Sequence, residues 1–129
     1  MGSERTVQDV FLVGGLRSHL GLQNGIFKNV PPEKLGAALL RQLCIRCPAA
    51  REAQLILGGN AVGSGGNLTR LMALTAGFPV ETPALTLDMQ CASALGALSL
   101  AWGKIASGQL DASSSRVTRR NLRCSWFCS

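Results

Sequence analysis

One cysteine stands out among the residues that could do chemistry. Cys91 lies in the run DMQCASALG (88–96), where a strand-like stretch, TPALTLD (82–88), gives way to a charge-free segment rich in alanine and leucine. Unpaired N–H groups and the helix dipole at a helix N-terminus favour a thiolate, and a thiolate is a nucleophile. On position alone, a buried cysteine that only packs is the more frequent case. The sequence therefore leaves open a nucleophile and a packing residue.

The other four cysteines do not form a recognisable site. Cys44 and Cys47 make a C-x-x-C, but no second pair follows with the spacing of a zinc site, and the only histidine, His19, is distant in sequence. We therefore predict no metal site and free thiols. A redox role for the C-x-x-C pair is the weaker alternative.

A glycine-rich stretch, GGNAVGSGGN (58–67), invites a test for phosphate binding. It contains neither G-x-x-x-x-G-K-[ST] nor a G-x-G-x-x-G after the preceding strand. We expect instead a tight crossover where one backbone segment approaches another.

The elements that must position Cys91 alternate along the chain. Residues 7–13, 54–57 and 82–88 read as strands, and residues 33–43, 69–76 and 89–107 as helices. Glycine-rich turns between them favour an α/β fold with a parallel sheet. Residues 89–103 carry no charge and are apolar all round, so we expect the third helix, with Cys91 in its first turn, to be buried on all sides.

The net charge of +6 is concentrated at one end. Four of the thirteen basic residues lie after position 111, which leaves nine against all seven acidic residues in 1–111. We predict a nearly neutral domain over 1–111 and an atypical basic tail over 112–129, solvated and disordered rather than a nucleic-acid-binding arm. With no membrane-length apolar run and no signal-peptide profile, we expect a soluble intracellular protein.

Several segments together are similar to one enzyme family. The run ETPALTLDMQCASALGALSLAWGKIASGQLD (81–111) resembles the nucleophile segment of the thiolases, the acyl-CoA C-acyltransferases. Upstream, the stretch from Gly59 to Arg70 with AGFP (76–79), and VPPEKLGAAL (30–39), resemble further motifs of that family in the same order. The resemblance covers about residues 7–111 and implies a partial thiolase-like N-terminal α/β domain, a layered sheet with a buried helix after the nucleophile.

The resemblance also implies a chemistry. Cys91 would accept an acyl group from a coenzyme A thioester, for thiolysis of a 3-ketoacyl-CoA or for condensation of acetyl-CoA. Backbone N–H groups would stabilise the oxyanion, and no cofactor would be bound. Asn67 and Arg70 would lie at a homodimer contact, so the implied partners are an acyl-CoA, a second copy of the chain or a full-length thiolase.

The chain departs from the family pattern in ways that bear on activity. Asp88 replaces the family's asparagine and places a carboxylate near the would-be thiolate. The G-H-P histidine and the C-x-G-G cysteine of a thiolase do not occur, and the sequence after Asp111 does not continue into the family's apolar strand. We therefore expect an incomplete catalyst with an uncovered apolar helix, or alternatively a non-enzymatic dimerisation or interaction fragment. The expected location is cytoplasmic, with mitochondrial and peroxisomal locations left open.

Overall fold

The computed structural model describes residues 7–59 and 66–110. Three α-helices, a short 3-10 helix and two strands follow one another along the chain. In order they are α1 (Pro32–Arg46), the 3-10 helix (Pro48–Glu52), β1 (Ile56–Gly59), α2 (Leu68–Ala76), β2 (Ala84–Leu87) and α3 (Ser93–Ala106). The proposed domain boundary at 111, the tail 112–129, and most of the glycine-rich loop lie outside the described residues.

Local sequence accounts for the first two helices. Proline at the start of α1 and Glu33 in its first turn suit a helix N-terminus. α2 ends at Gly77, whose φ of 90° is left-handed and whose N–H group bonds to the carbonyls of Ala73 and Leu74. Both helices confirm the sequence predictions to within three residues at each end.

A small parallel sheet forms the centre of the fold. β1 pairs with β2 in the register Ile56↔Ala84 to Gly59↔Leu87, and α2 makes the connection between the two strands. Parallel neighbours require such a crossover. The predicted α/β class with parallel pairing is confirmed.

One hydrophobic core cluster lies between the sheet and α3. Leu57, Ala97 and Ala101 are buried together, with Leu55, Leu87 and Leu100 packed around them. The small side chains of α3 are spaced four residues apart, so they fall on one helix face and let the helix approach the sheet.

The opposite face of α3 is open. Leu95 is 59% exposed and Trp102 is 56% exposed. Burial on all sides is therefore wrong for this helix among the described residues, whereas the expectation of an uncovered apolar face is confirmed. The sheet covers only the Ser93, Ala97 and Ala101 side, and no described element packs over Leu95.

The predicted strand at 7–13 is not formed. The segment is irregular, and its apolar side chains are mostly exposed, with Leu12 at 73%. Gln8 donates a backbone hydrogen bond of 3.0 Å to Ala106 at the end of α3. A strand needs a neighbour that supplies N–H and C=O partners, and β1 and β2 pair only with each other among the described residues.

No helix in the described part of the chain is both long enough and apolar enough to cross a membrane.

Candidate functional site

Cys91 lies in the turn that joins β2 to α3. Its thiol is free and its side chain is exposed. This exposure rules out the alternative that Cys91 is a buried packing residue. A cysteine presented at a strand-to-helix turn is accessible to a reactant from solvent.

The turn differs from the prediction in one respect. α3 begins at Ser93 with Ala92 as its N-cap residue, so Cys91 precedes the helix instead of lying in its first turn. Gln90 has a φ of 54°, which a right-handed helix cannot contain, and this interrupts the helical pattern read from residue 89. Cys91 still lies only two residues before the start of α3, close to the helix N-terminus.

Two backbone hydrogen bonds close the turn. The N–H of Ala92 donates to the carbonyl of Met89 at 3.1 Å, and the N–H of Ser93 donates to the carbonyl of Gln90 at 3.0 Å. The Oγ of Ser93 accepts from the N–H of Met89 and donates to the carbonyl of Gln90, both at 2.7 Å. These bonds fix the backbone on both sides of Gln90, immediately before Cys91.

Asp88 belongs to the same turn. Its Oδ1 accepts a hydrogen bond of 3.1 Å from the N–H of Gln90. An asparagine could accept the same bond through its amide oxygen, since both residue types favour such turns. The carboxylate therefore adds a negative charge near Cys91 that the turn does not need.

Replacing Asp88 by asparagine should speed the reaction of Cys91 with iodoacetamide about threefold at neutral pH, because exposed charges interact by a fraction of a kcal/mol to about 1 kcal/mol. The substitution keeps the turn and removes repulsion of the thiolate. The rate is measured by mass spectrometry of the Cys91 peptide.

Asp9→Asn is the matched control for Asp88→Asn. Asp9 is also exposed, but its neighbour Gln8 bonds to Ala106, at the far end of α3 from Cys91. It should leave the Cys91 rate unchanged. An Asp88→Asn rate equal to or below that of the original chain would contradict the electrostatic account.

β2, the strand that leads into the turn, is hydrogen-bonded to the start of α2 through a network of polar groups. Asn67 caps α2 by accepting from the N–H of Arg70 at 3.0 Å, and its Nδ2 donates to the carbonyl of Ala84 at 2.8 Å. The hydroxyl of Thr86 donates to Oδ1 of Asn67 at 2.7 Å and accepts from the N–H of Thr69 at 2.9 Å. The network holds the strand that leads to Cys91 against a helix end.

Arg70 secures the connection that precedes β2. Its Nη1 and Nη2 atoms donate to the carbonyls of Thr82 and Val80, each at 2.7 Å. Asn67 and Arg70 therefore bind this chain's own backbone. Their assignment to a homodimer contact remains a prediction.

Gly59 allows β1 to approach the start of α3. A Cβ on Gly59 would lie 2.6 Å from the Cβ of Ser93 and 2.9 Å from the N of Ala94. Such distances are too short for any side chain, so glycine is required here. A close backbone approach, as expected for the glycine-rich stretch, is present at Gly59, whereas the crossover itself falls on residues outside those described.

The remaining candidates lie away from the turn. Cys44 is buried, and burial raises the pKa of its thiol, which the positive charge of Arg51 partly opposes. Cys44 and Cys47 are free thiols, and His19 is exposed in the irregular segment before α1. Within residues 7–59 and 66–110, no group of three or more His, Cys, Asp or Glu side chains could hold a metal ion.

Sequence reasoning missed two of the residues that shape the site. Ser93 and Thr86 act through their hydroxyl groups, Ser93 on the turn and Thr86 between β2 and α2, and a single serine or threonine carries no distinctive sequence signal. The role of Asn67 as the N-cap of α2 could have been predicted, because asparagine directly before a segment with helical apolar spacing is a typical N-cap residue.

Comparison with known proteins identifies the fold. Residues 10–113 match the family model described as "Thiolase, N-terminal domain". A putative acetyl-CoA C-acetyltransferase of Bacillus subtilis is 40% identical over 97 residues, which cover 75% of this chain and 26% of that protein. An acetyl-CoA acetyltransferase of Pseudomonas aeruginosa is 37% identical over 108 residues, covering 81% of this chain and 28% of the relative.

A solved structure agrees with these relatives. The crystal structure of the Bacillus anthracis acetyl-CoA acetyltransferase superposes with a TM-score of 0.77 and 28% identity, over 82% of this chain and 28% of that one. The chain thus spans about a quarter of the length of the proteins it matches. It belongs to the thiolase family, and the part of the family that it matches is the N-terminal domain.

Proposed function

We propose that this chain supplies the acyl-accepting cysteine of a thiolase-type transfer between coenzyme A thioesters. The observation that carries the proposal is the free, exposed thiol of Cys91 in the turn between β2 and α3. The resemblance of residues 81–111 to the nucleophile segment of the thiolases supports the proposal. The reaction class is thiolysis of a 3-ketoacyl-CoA or condensation of acetyl-CoA.

The proposed step is acyl transfer to Cys91. The thiolate sulfur attacks the thioester carbonyl, a new carbon–sulfur bond forms, and the bond to the coenzyme A sulfur breaks. The departing coenzyme A thiolate takes a proton from solvent, and Cys91 is left as an S-acyl cysteine. Backbone N–H groups are the donors that the resemblance implies for the negative charge that develops on the carbonyl oxygen.

The proposal is restricted to this half-reaction. A G-H-P histidine and a C-x-G-G cysteine, to which the resemblance assigns deprotonation and turnover, do not occur in residues 1–129. Acylation of Cys91 needs only the free thiol described above, so we expect one acyl group per chain.

The experiment incubates the purified chain with acetyl-CoA and follows its intact mass together with the release of free coenzyme A. We expect one acetyl group per chain and an equal amount of coenzyme A released. Cys91→Ser should abolish both, while Cys47→Ser, at a half-buried free cysteine, should leave both unchanged. An adduct that survives in Cys91→Ser would contradict the proposal.

A second candidate is an interaction fragment that pairs with another copy or with a full-length thiolase. The exposed Leu95 and Trp102 on α3 favour it, because contiguous exposed apolar surface promotes association. Absence of any acetyl adduct, combined with concentration-dependent association in sedimentation, would select this candidate over the first.

We also propose a cytoplasmic location. Cys44, Cys47 and Cys91 are free thiols, as in proteins of a reducing compartment. Fusion of the chain to a fluorescent protein tests this directly, and enrichment in an organelle would overturn it.

A further inference from the structure

The residue that precedes Cys91 adopts a conformation that needs outside support. Gln90 has a φ of 54°, and Asn24 is the other non-glycine residue with positive φ among the described residues. Asparagine tolerates the left-handed region, whereas glutamine lacks the short side chain that makes this possible. A non-glycine residue persists there only when its surroundings hold it.

Ser93 stabilises the left-handed conformation of Gln90. Its Oγ bonds to the N–H of Met89 and to the carbonyl of Gln90, so one hydroxyl spans the residue with the unfavourable φ. Ser93 is only 3% exposed, and water cannot readily replace the hydroxyl. The carbonyl of Gln90 receives a second bond from the backbone N–H of Ser93.

The two hydrogen bonds of the Ser93 hydroxyl, called the Ser93 clamp below, also constrain the backbone of Cys91. The carbonyl of Gln90 belongs to the planar peptide group whose nitrogen is that of Cys91. Fixing that carbonyl therefore fixes the plane from which the Cys91 backbone departs. Ser93 itself is held from behind by β1, since Gly59 lies against its Cβ.

We propose that Ser93 is a positioning residue for Cys91, its hydroxyl holding Gln90 in the left-handed conformation that presents the thiol beside the start of α3. The proposal rests on Cys91 being the acyl acceptor. Ser93 contacts no reacting atom, and it acts only through the backbone of the turn.

Three variants test the clamp: Ser93→Ala, Gln90→Gly and the double variant. The readout is the rate at which iodoacetamide alkylates Cys91, in which the sulfur displaces iodide and forms a carbon–sulfur bond. Cys47 in the same sample is the internal reference. Because no acetyl-CoA is present, failure of acyl transfer leaves this readout intact.

Ser93→Ala should lower the Cys91 rate about fivefold relative to Cys47, because the left-handed turn then relaxes. Gln90→Gly alone should change it less than about twofold, since glycine adopts this conformation without cost. In the double variant the rate should return to within about twofold of the original chain. The same pattern should appear in acetyl transfer to Cys91 if the proposed function holds.

A merely structural role predicts a different pattern. Ser93→Ala would then lower the melting temperature and change Cys47 and Cys91 labelling alike, and Gln90→Gly would not restore the rate. Either that pattern, or equal Cys91 rates in the original chain and Ser93→Ala, overturns the clamp. Unfolding of both Ser93→Ala and the double variant also overturns it, because relief of the left-handed penalty should rescue the turn.

Discussion

Gly59→Ala is expected to lower the free energy of unfolding by about 2–3 kcal/mol and to remove the selective reactivity of Cys91. The added methyl would meet the Cβ of Ser93 at 2.6 Å and the backbone N of Ala94 at 2.9 Å. Backbone cannot move aside as a flexible side chain can, so the start of α3 must shift from β1. Because Ser93 holds the turn, that shift displaces Cys91 as well. Chemical denaturation measures the first effect, and site-resolved alkylation measures the second.

Gly103→Ala is the matched control for this substitution. Gly103 lies within α3, and a Cβ there would meet no atom within 4 Å. Alanine should stabilise the helix by about 0.5–1 kcal/mol and leave Cys91 labelling unchanged. If Gly59→Ala were as well tolerated as Gly103→Ala, the close approach of β1 and α3 would be wrong.

Asn67→Ala is the second substitution with a large expected effect, a loss of about 2 kcal/mol in the free energy of unfolding. The side chain accepts from the N–H of Arg70 and the hydroxyl of Thr86, and it donates to the carbonyl of Ala84. Alanine removes the helix cap and both links to β2. Because Asn67 is exposed, water can bond to the groups that lose their partner, which offsets part of the loss in the free energy of unfolding.

Asn67→Asp separates the stabilisation due to the two accepted hydrogen bonds from that due to the donated one. A carboxylate keeps both acceptor roles and suits a helix N-terminus, but it cannot donate to Ala84, so we expect a loss of about 1 kcal/mol. Asn29→Ala, at an exposed asparagine before α1, should be near neutral. Equal stabilities of Asn67→Ala and the original chain would show that residue 67 does not tie α2 to β2.

Local sequence signals were sufficient for much of the fold. Proline before α1, Gly77 after α2 and the apolar runs at β1 and β2 each act within a few residues, and the structure follows them. The strand prediction for residues 7–13 was wrong. An apolar pattern shows only that a segment is able to pair with a neighbouring strand. Whether it pairs depends on a neighbour that the described residues do not provide.

The position of the candidate site could be predicted from the sequence, but the residues that support it could not. Cys91 could be singled out because a cysteine between a strand and an apolar helix is unusual. The left-handed conformation of Gln90 could not be predicted from the sequence, because glutamine has no preference for that conformation. Ser93 and Thr86 were also missed, since their roles come from tertiary contacts between β2, α2 and α3.

The most direct measurement is a time course of acetylation from acetyl-CoA, resolved by peptide, over all five cysteines of the chain. If the turn between β2 and α3 presents an acyl-accepting thiol, Cys91 should gain acetyl at least about tenfold faster than Cys47, and buried Cys44 should react slowest. Labelling of Cys91 and Cys47 at the same rate, or no labelling of Cys91, would contradict the account.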